Sequence, residues 1–166
     1  MCDHCGCRDL TPVAALMSEH DRLRELTGHI RSHLAAGDDA AARAHFEEIL
    51  VVLAPHVRKE EGFLFPMLAR EAELAEHVST LQGEHADLYD AVDDLDDAVA
   101  GPEAPATQAW RDGVLRILDE LGDHMFKEDF GLFPAALATV DGADWDAMDE
   151  WAKATDGALQ TPSTAS

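Results

Sequence analysis

His56-Val57-Arg58-Lys59-Glu60-Glu61-Gly62-Phe63-Leu64-Phe65-Pro66 recurs later in the chain as His124-Met125-Phe126-Lys127-Glu128-Asp129-Phe130-Gly131-Leu132-Phe133-Pro134. The His, Lys, Glu, Leu, Phe and Pro are identical at a constant offset. In each copy His and Glu stand four residues apart, which puts both on one face of a helix with about 6 Å of rise between them. Upstream of the two copies, Glu19-His20-Asp21-Arg22-Leu23 matches Glu84-His85-Ala86-Asp87-Leu88. The chain therefore reads as two αα-hairpins, each carrying a His and then a His-x-x-x-Glu. A duplicated half-site of this kind suits two metals bridged by two carboxylates.

The apolar residues around these motifs recur at alternating spacings of three and four, the mark of a helix with one buried face. The first seam is Val13, Leu16, His20, Leu23, Thr27, Ile30, Leu34, and the second is Phe46, Ile49, Leu53, His56, Glu60, Phe63, Met67. The third is Val78, Leu81, His85, Leu88, Val92, Leu95, Val99. The fourth is Trp110, Val114, Ile117, Leu121, His124, Glu128, with Leu132 or Gly131 as its last member. Thr11-Pro12 starts the first helix, Gly37 stops it, and Asp38-Asp39 starts the second, which contains Pro55 and is expected to kink or loosen there. The 101–105 stretch, Gly-Pro-Glu-Ala-Pro, separates the third helix from the fourth. Four helices with short connections predict an all-α, up-down-up-down four-helix bundle over residues 11–140. A short helix near 143–154 and a flexible tail complete a C-terminal segment, 141–166.

Six polar residues on these seams need compensation: His20, His56, Glu60, His85, His124 and Glu128. A buried, unpaired carboxylate costs several kcal/mol, and a buried imidazole needs a partner. His20 is early in its helix and His56 late in the next, so an antiparallel pair brings them level. His85 and His124 meet in the same way. A metal satisfies all six, because neutral imidazole and carboxylate are ligands for iron, manganese or zinc. The alternative is a polar network that satisfies every member without metal.

The ordered set His20, His56-x-x-x-Glu60, His85, His124-x-x-x-Glu128 resembles the hemerythrin-like family, the HHE cation-binding domain, over about residues 11–138. The resemblance implies a centre of two non-haem iron ions with an exchangeable position for O2 or peroxide. By it, His20 and His56 bind one iron, His85 and His124 the other, and Glu60 and Glu128 bridge. Respiratory hemerythrins carry a further His four residues after the first on the third helix; this chain has Tyr89 there. Its phenol is a candidate ligand, or a catalytic or outer contact to bound oxidant, and it shifts the expectation from O2 storage towards redox chemistry or sensing. Ferritin-like bundles use Glu-x-x-His pairs, and no Glu here has a His three residues on.

The resemblance implies a protein that reacts with O2, H2O2 or NO, as a catalase-like enzyme or an oxidase of a small substrate, sulfur-containing ones included, with an unidentified electron donor. The alternative is a non-catalytic carrier or sensor of O2, NO or iron. Its signal would pass through Cys2, His4, Cys5 and Cys7, the only cysteines in the chain and their one neighbouring imidazole. These four form a Cys/His-rich segment over residues 1–10 that reads as a Zn or Fe site, a redox site, or an oxidisable tail. A net charge of −22 argues against nucleic acid and against an anionic membrane surface. No apolar run reaches the about 20 residues of a membrane span, and Met1–Cys7 lacks a signal-peptide pattern, so the cytoplasm is expected. His29, His33 and His77 lie off the seams; His45 shares a face with His56 but belongs to the opposite end of the bundle.

Overall fold

The computed structural model describes residues 11–97 and 107–159. Helices α1 (Thr11–Ala36) and α2 (Asp39–Lys59) form the first hairpin; α4 (Ala75–Asp97) and α5 (Gln108–Lys127) form the second. Between α2 and α4 lies the short helix α3 (Phe65–Leu68), and after α5 come α6 (Phe133–Thr139) and α7 (Gly142–Leu159). There is no strand among the described residues, and the architecture is an all-α bundle. Local chemistry sets the turns. Gly37 takes φ +75°, the left-handed conformation a side chain would resist, and Asp38 Oδ1 then accepts the Ala41 N–H at 3.2 Å to cap α2. Thr107 Oγ1 caps α5 by accepting the Trp110 N–H at 3.1 Å. The Cys/His segment at 2–7, Val99 and the 101–105 linker lie outside the described residues.

Two features depart from a regular helical reading. α2 runs through Pro55 without interruption. The irregularity comes later, where the ladder widens into a π turn at Glu60–Leu64 and again at Glu128–Leu132. In each, the N–H after the turn (Phe65, Phe133) reaches back five residues to the carbonyl of Glu60 or Glu128. The next residue is Pro66 or Pro134, whose ring clashes with a regular helical carbonyl and which has no N–H to give it; widening the turn relieves both. The extra residue per turn also rotates the following face. Phe63, expected in the seam, is only partly buried, while Leu64, Phe65, Leu132 and Phe133 are buried.

The core is two clusters. One contains Leu23, Ile30, Ile49, Leu53, Leu88, Ile117 and Leu121; the other contains Leu16, Leu64, Phe65, Leu81, Leu132, Phe133 and, from α7, Trp145 and Met148. The six polar seam residues fall between them along every long helix, so the polar layer has apolar packing above and below.

α7 rests on α1 and on the first π turn, where Trp151 crosses Gly62. A Cβ at Gly62 would sit 2.6 Å from Trp151 Cη2 and Cζ2. Gly62→Ala is therefore expected to displace Trp151 and cost about 1–3 kcal/mol. A lower melting temperature with an altered Trp fluorescence is the expected result; an unchanged melt would mean that α7 adds nothing to stability.

Candidate metal centre

His20, His56, Glu60, His85, His124 and Glu128 are all buried and converge in one layer. They make two overlapping four-residue sets, His20–His56–Glu60–Glu128 and His85–His124–Glu60–Glu128, with the ligand atoms of each set within 4.8 Å of one another. The carboxylates span the two. Glu60 places Oε1 3.3 Å from His56 Nε2 and Oε2 3.4 Å from His85 Nε2. Glu128 places Oε1 3.3 Å from His124 Nε2 and Oε2 3.2 Å from His20 Nε2.

A second layer fixes each imidazole. His56 Nδ1 donates to Glu19, His124 Nδ1 to Glu84 and His85 Nδ1 to Glu61, each at 2.9 Å. His20 Nδ1 donates to Asp129 at 2.8 Å. An ionised carboxylate only accepts, so the Nδ1 atoms carry the protons and the Nε2 lone pairs face inward. Cations hold the outer acids in turn: Lys59 on Glu19, Lys127 on Glu84 and Arg24 on Asp129. The duplication is followed throughout. Glu19 and Glu84 each precede a His by one residue, and Glu61 and Asp129 each follow a Glu by one. Phe133 stacks on His20 at 5.6 Å and Phe65 on His85 at 5.5 Å, each ring crossing from the other hairpin.

The metal-free chemistry of this layer is unfavourable. Both oxygens of Glu60 and of Glu128, with His85 Nε2 and His124 Nε2, are buried without a hydrogen-bond partner. His20 Nε2 and His56 Nε2 face each other at 3.0 Å, two lone pairs in contact unless a cation or proton intervenes. Burial, then the charge of Glu128, pushes Glu60 well above the usual carboxylate range. Burial opposes charge on Glu128 too, but the His124 and His20 imidazoles beside it hold it well below that range. Within each imidazole pair one ring is driven up and one down. Burial lowers His56 and His85. His20 and His124 rise despite burial, through Asp129 and Glu128 for the first and through Glu128 and Glu84 for the second. Each pair with its carboxylates is thus built for one cation, and the donor set fits a metal.

The two halves are not equivalent. Asp129, beside His20, is 2% exposed and held by Arg24; its counterpart Glu61, beside His85, is 43% exposed. Tyr89 occupies the repeat position of Arg24. It stands at the rim, 38% exposed, with its phenol pushed up by burial first and then by Glu61. A cavity of about 420 Å³ between α4 and α5 reaches His124 past Leu88 and Leu121, with Glu84 and Lys127 at its side.

Sequence reading of the metal-facing layer missed Glu19, Glu61, Glu84 and Asp129. A signal existed: each is acidic in both copies of the repeat, and the shared Lys59 and Lys127 pair with two of them.

The hemerythrin HHE cation binding domain matches residues 11–136. Curated relatives that it matches carry the name iron-sulfur cluster repair protein YtfE. The one from Pectobacterium atrosepticum is 34% identical over 51% of this chain and 42% of its own length. Those from Enterobacter sp. and Escherichia coli O157:H7 are 33% and 31% identical, each over 52% of this chain and 42% of its own length. The chain thus spans less than half of these relatives. No solved structure matches it. With the domain match running from the start of α1 into α6, and with its buried His/Glu layer shared by both hairpins, the chain belongs to the hemerythrin HHE cation-binding family.

Proposed function

We propose that this chain is a non-haem di-iron protein whose centre reacts with a small oxidant: O2, peroxide or nitric oxide. The observation that carries the reading is the pair of buried carboxylates, each reaching one imidazole of both halves with no other partner. His20 and His56 would hold one iron, His85 and His124 the other, and Glu60 and Glu128 would join them. Such a pair supplies electron transfer to an oxidant. The chain's own groups do the rest. Leu23, Leu53, Leu88 and Leu121 close the layer on one side, and Phe65 and Phe133 close it on the other, keeping bulk water out. The outer carboxylates keep every Nε2 aimed inward. The cavity beside His124 gives a small molecule its approach to the second half.

Tyr89 belongs at that half as an outer hydrogen-bonding group. Tyr89→Phe is expected to retain both irons and the optical spectrum, while lowering peroxide consumption by about two- to tenfold, the worth of one hydrogen bond. Loss of a visible absorption band in Tyr89→Phe would instead make the phenol a ligand.

A second reading follows from the openness of the α4–α5 half and the name of the relatives: release of iron to damaged iron-sulfur proteins. Iron-loaded protein tests both. Peroxide consumption at constant iron content supports the redox reading. Rapid loss of one iron to a chelator, without peroxide turnover, supports iron release. A reversible optical change with oxygen, and neither of these, marks a carrier or sensor; fewer than two irons per chain overturns the di-iron assignment.

A further inference from the structure

At the opposite end of the α1–α2 hairpin from the buried layer, three further imidazoles meet. His29 and His33 stand four residues apart on α1, and His45 faces them from α2. The His45 ring lies 5.0 Å from that of His29 and 5.3 Å from that of His33, centroid to centroid. Imidazoles have no reason of their own to gather three deep at a helix surface. Their company repels whenever more than one is protonated, and other side chains would pack there as well. Two carboxylates flank them: Glu48 Oε1 is 3.3 Å from His45 Nδ1, and Asp38 Oδ2 is 3.5 Å from His33 Nδ1. His45 Nδ1 is itself buried and has no hydrogen bond. Glu48 is steadied by Arg22, whose Nη2 donates to its second oxygen at 2.8 Å.

We propose that His29, His33 and His45 form a second metal site, which takes one divalent transition cation of the imidazole-preferring kind, Zn2+ or Cu2+. Two His at i and i+4 on one helix are a chelating pair, and the third comes from the neighbouring helix. Three neutral nitrogens with a nearby carboxylate suit Zn2+ and, more tightly, Cu2+; an oxygen-preferring Mg2+ or Ca2+ is not favoured. Unlike the buried layer, the nitrogens are not already gathered at one point, and a cation would have to draw them together at a surface where His29 is exposed and His33 and His45 are half-buried. A net charge of −22 raises the local concentration of cations. The bound ion would clip α1 to α2 beside the Gly37–Asp38 turn, about 16 Å by helix rise from His56. It would thereby stabilise the hairpin that carries His20 and His56 without entering their chemistry.

The test is calorimetric titration of the iron-loaded full chain with Zn2+, compared with His33→Ala and His45→Ala. Any binding by the cysteines is common to all three proteins, so the difference isolates this site. Removing an outer partner of a metal ligand weakens binding by about 10–100-fold. Removing a ligand itself is expected to cost at least that, so each variant should bind one Zn2+ fewer in the micromolar range. Zn2+ should raise the melting temperature of the parent and not of the variants. Cu2+ added to thiol-blocked protein should give an electron paramagnetic resonance spectrum with nitrogen couplings that simplify in each variant. Iron content and the iron spectrum should stay unchanged throughout. Equal Zn2+ stoichiometry and equal melting shifts in parent and variants would overturn the proposal, as would a Cu2+ spectrum that neither substitution alters.

Discussion

If the parent holds the two irons proposed for it, a Glu60→Gln chain is expected to retain at most one, with the visible absorption of the pair lost. The substitution keeps the shape of the side chain and removes two properties the layer uses. The first is charge: Glu60 and Glu128 are the two anions in direct contact with the inward Nε2 atoms. The second is the pair of equivalent oxygens. Glu60 reaches His56 with one and His85 with the other, while an amide offers one oxygen and turns an N–H2 towards the opposite position. Whichever way the amide turns, one half meets a donor where a cation should be. Metal analysis with the optical spectrum reads the result directly. The exposed acid Glu47, changed to Gln in the same way, should have no effect. Two irons and an unaltered spectrum in Glu60→Gln would mean that this carboxylate does not join the two halves.

Stripping the metal is expected to lower the melting temperature of the parent by about 6–20 °C. Removing one partner from a buried ionic group costs about 3–5 kcal/mol, and about 2–4 °C accompanies each kcal/mol in a domain of this size. The same reasoning reverses the sign of the Glu60→Gln effect. With metal bound, the variant should be the less stable protein. Without metal it should be the more stable one, because Gln is neutral and relieves the repulsion and desolvation that drive Glu60 upward. Thermal melts of the four samples, parent and variant with and without metal, give the comparison. If chelation leaves the parent's melt unchanged, the layer is a self-sufficient polar network and the metal reading fails.

Much of this was legible in the chain itself. The seams named most of the buried residues of the long helices, though not Met17, Leu26, Val57, Leu118 or Met125, which widen the buried faces, and the six polar interruptions marked the layer that the folded chain brings together. They were legible because a helix has one period, and because few cores carry two carboxylates and four imidazoles without a reason. Glu19, Glu61, Glu84 and Asp129 were not. On a linear chain they are four of 34 acids; the repeat marks them as matched positions, but the crossing of the hairpins decides which imidazole each one meets. The π turns were also hidden. Pro66 and Pro134 signal trouble in the ladder, but the helix could have ended, kinked at Pro55, or widened as it did.

Periodicity and duplication in the sequence determined the bundle, the depth of the metal layer and its twofold plan, since each depends only on spacing along a helix. The tertiary structure decided where that twofold plan breaks. Arg24 pairs with a sealed Asp129, whereas Tyr89, at the same repeat position, stands beside an open Glu61. It also decided that a cavity reaches His124, and that His29, His33 and His45 come into contact. Exposure and contact between helices depend on how whole faces pack, and no spacing within one helix encodes that.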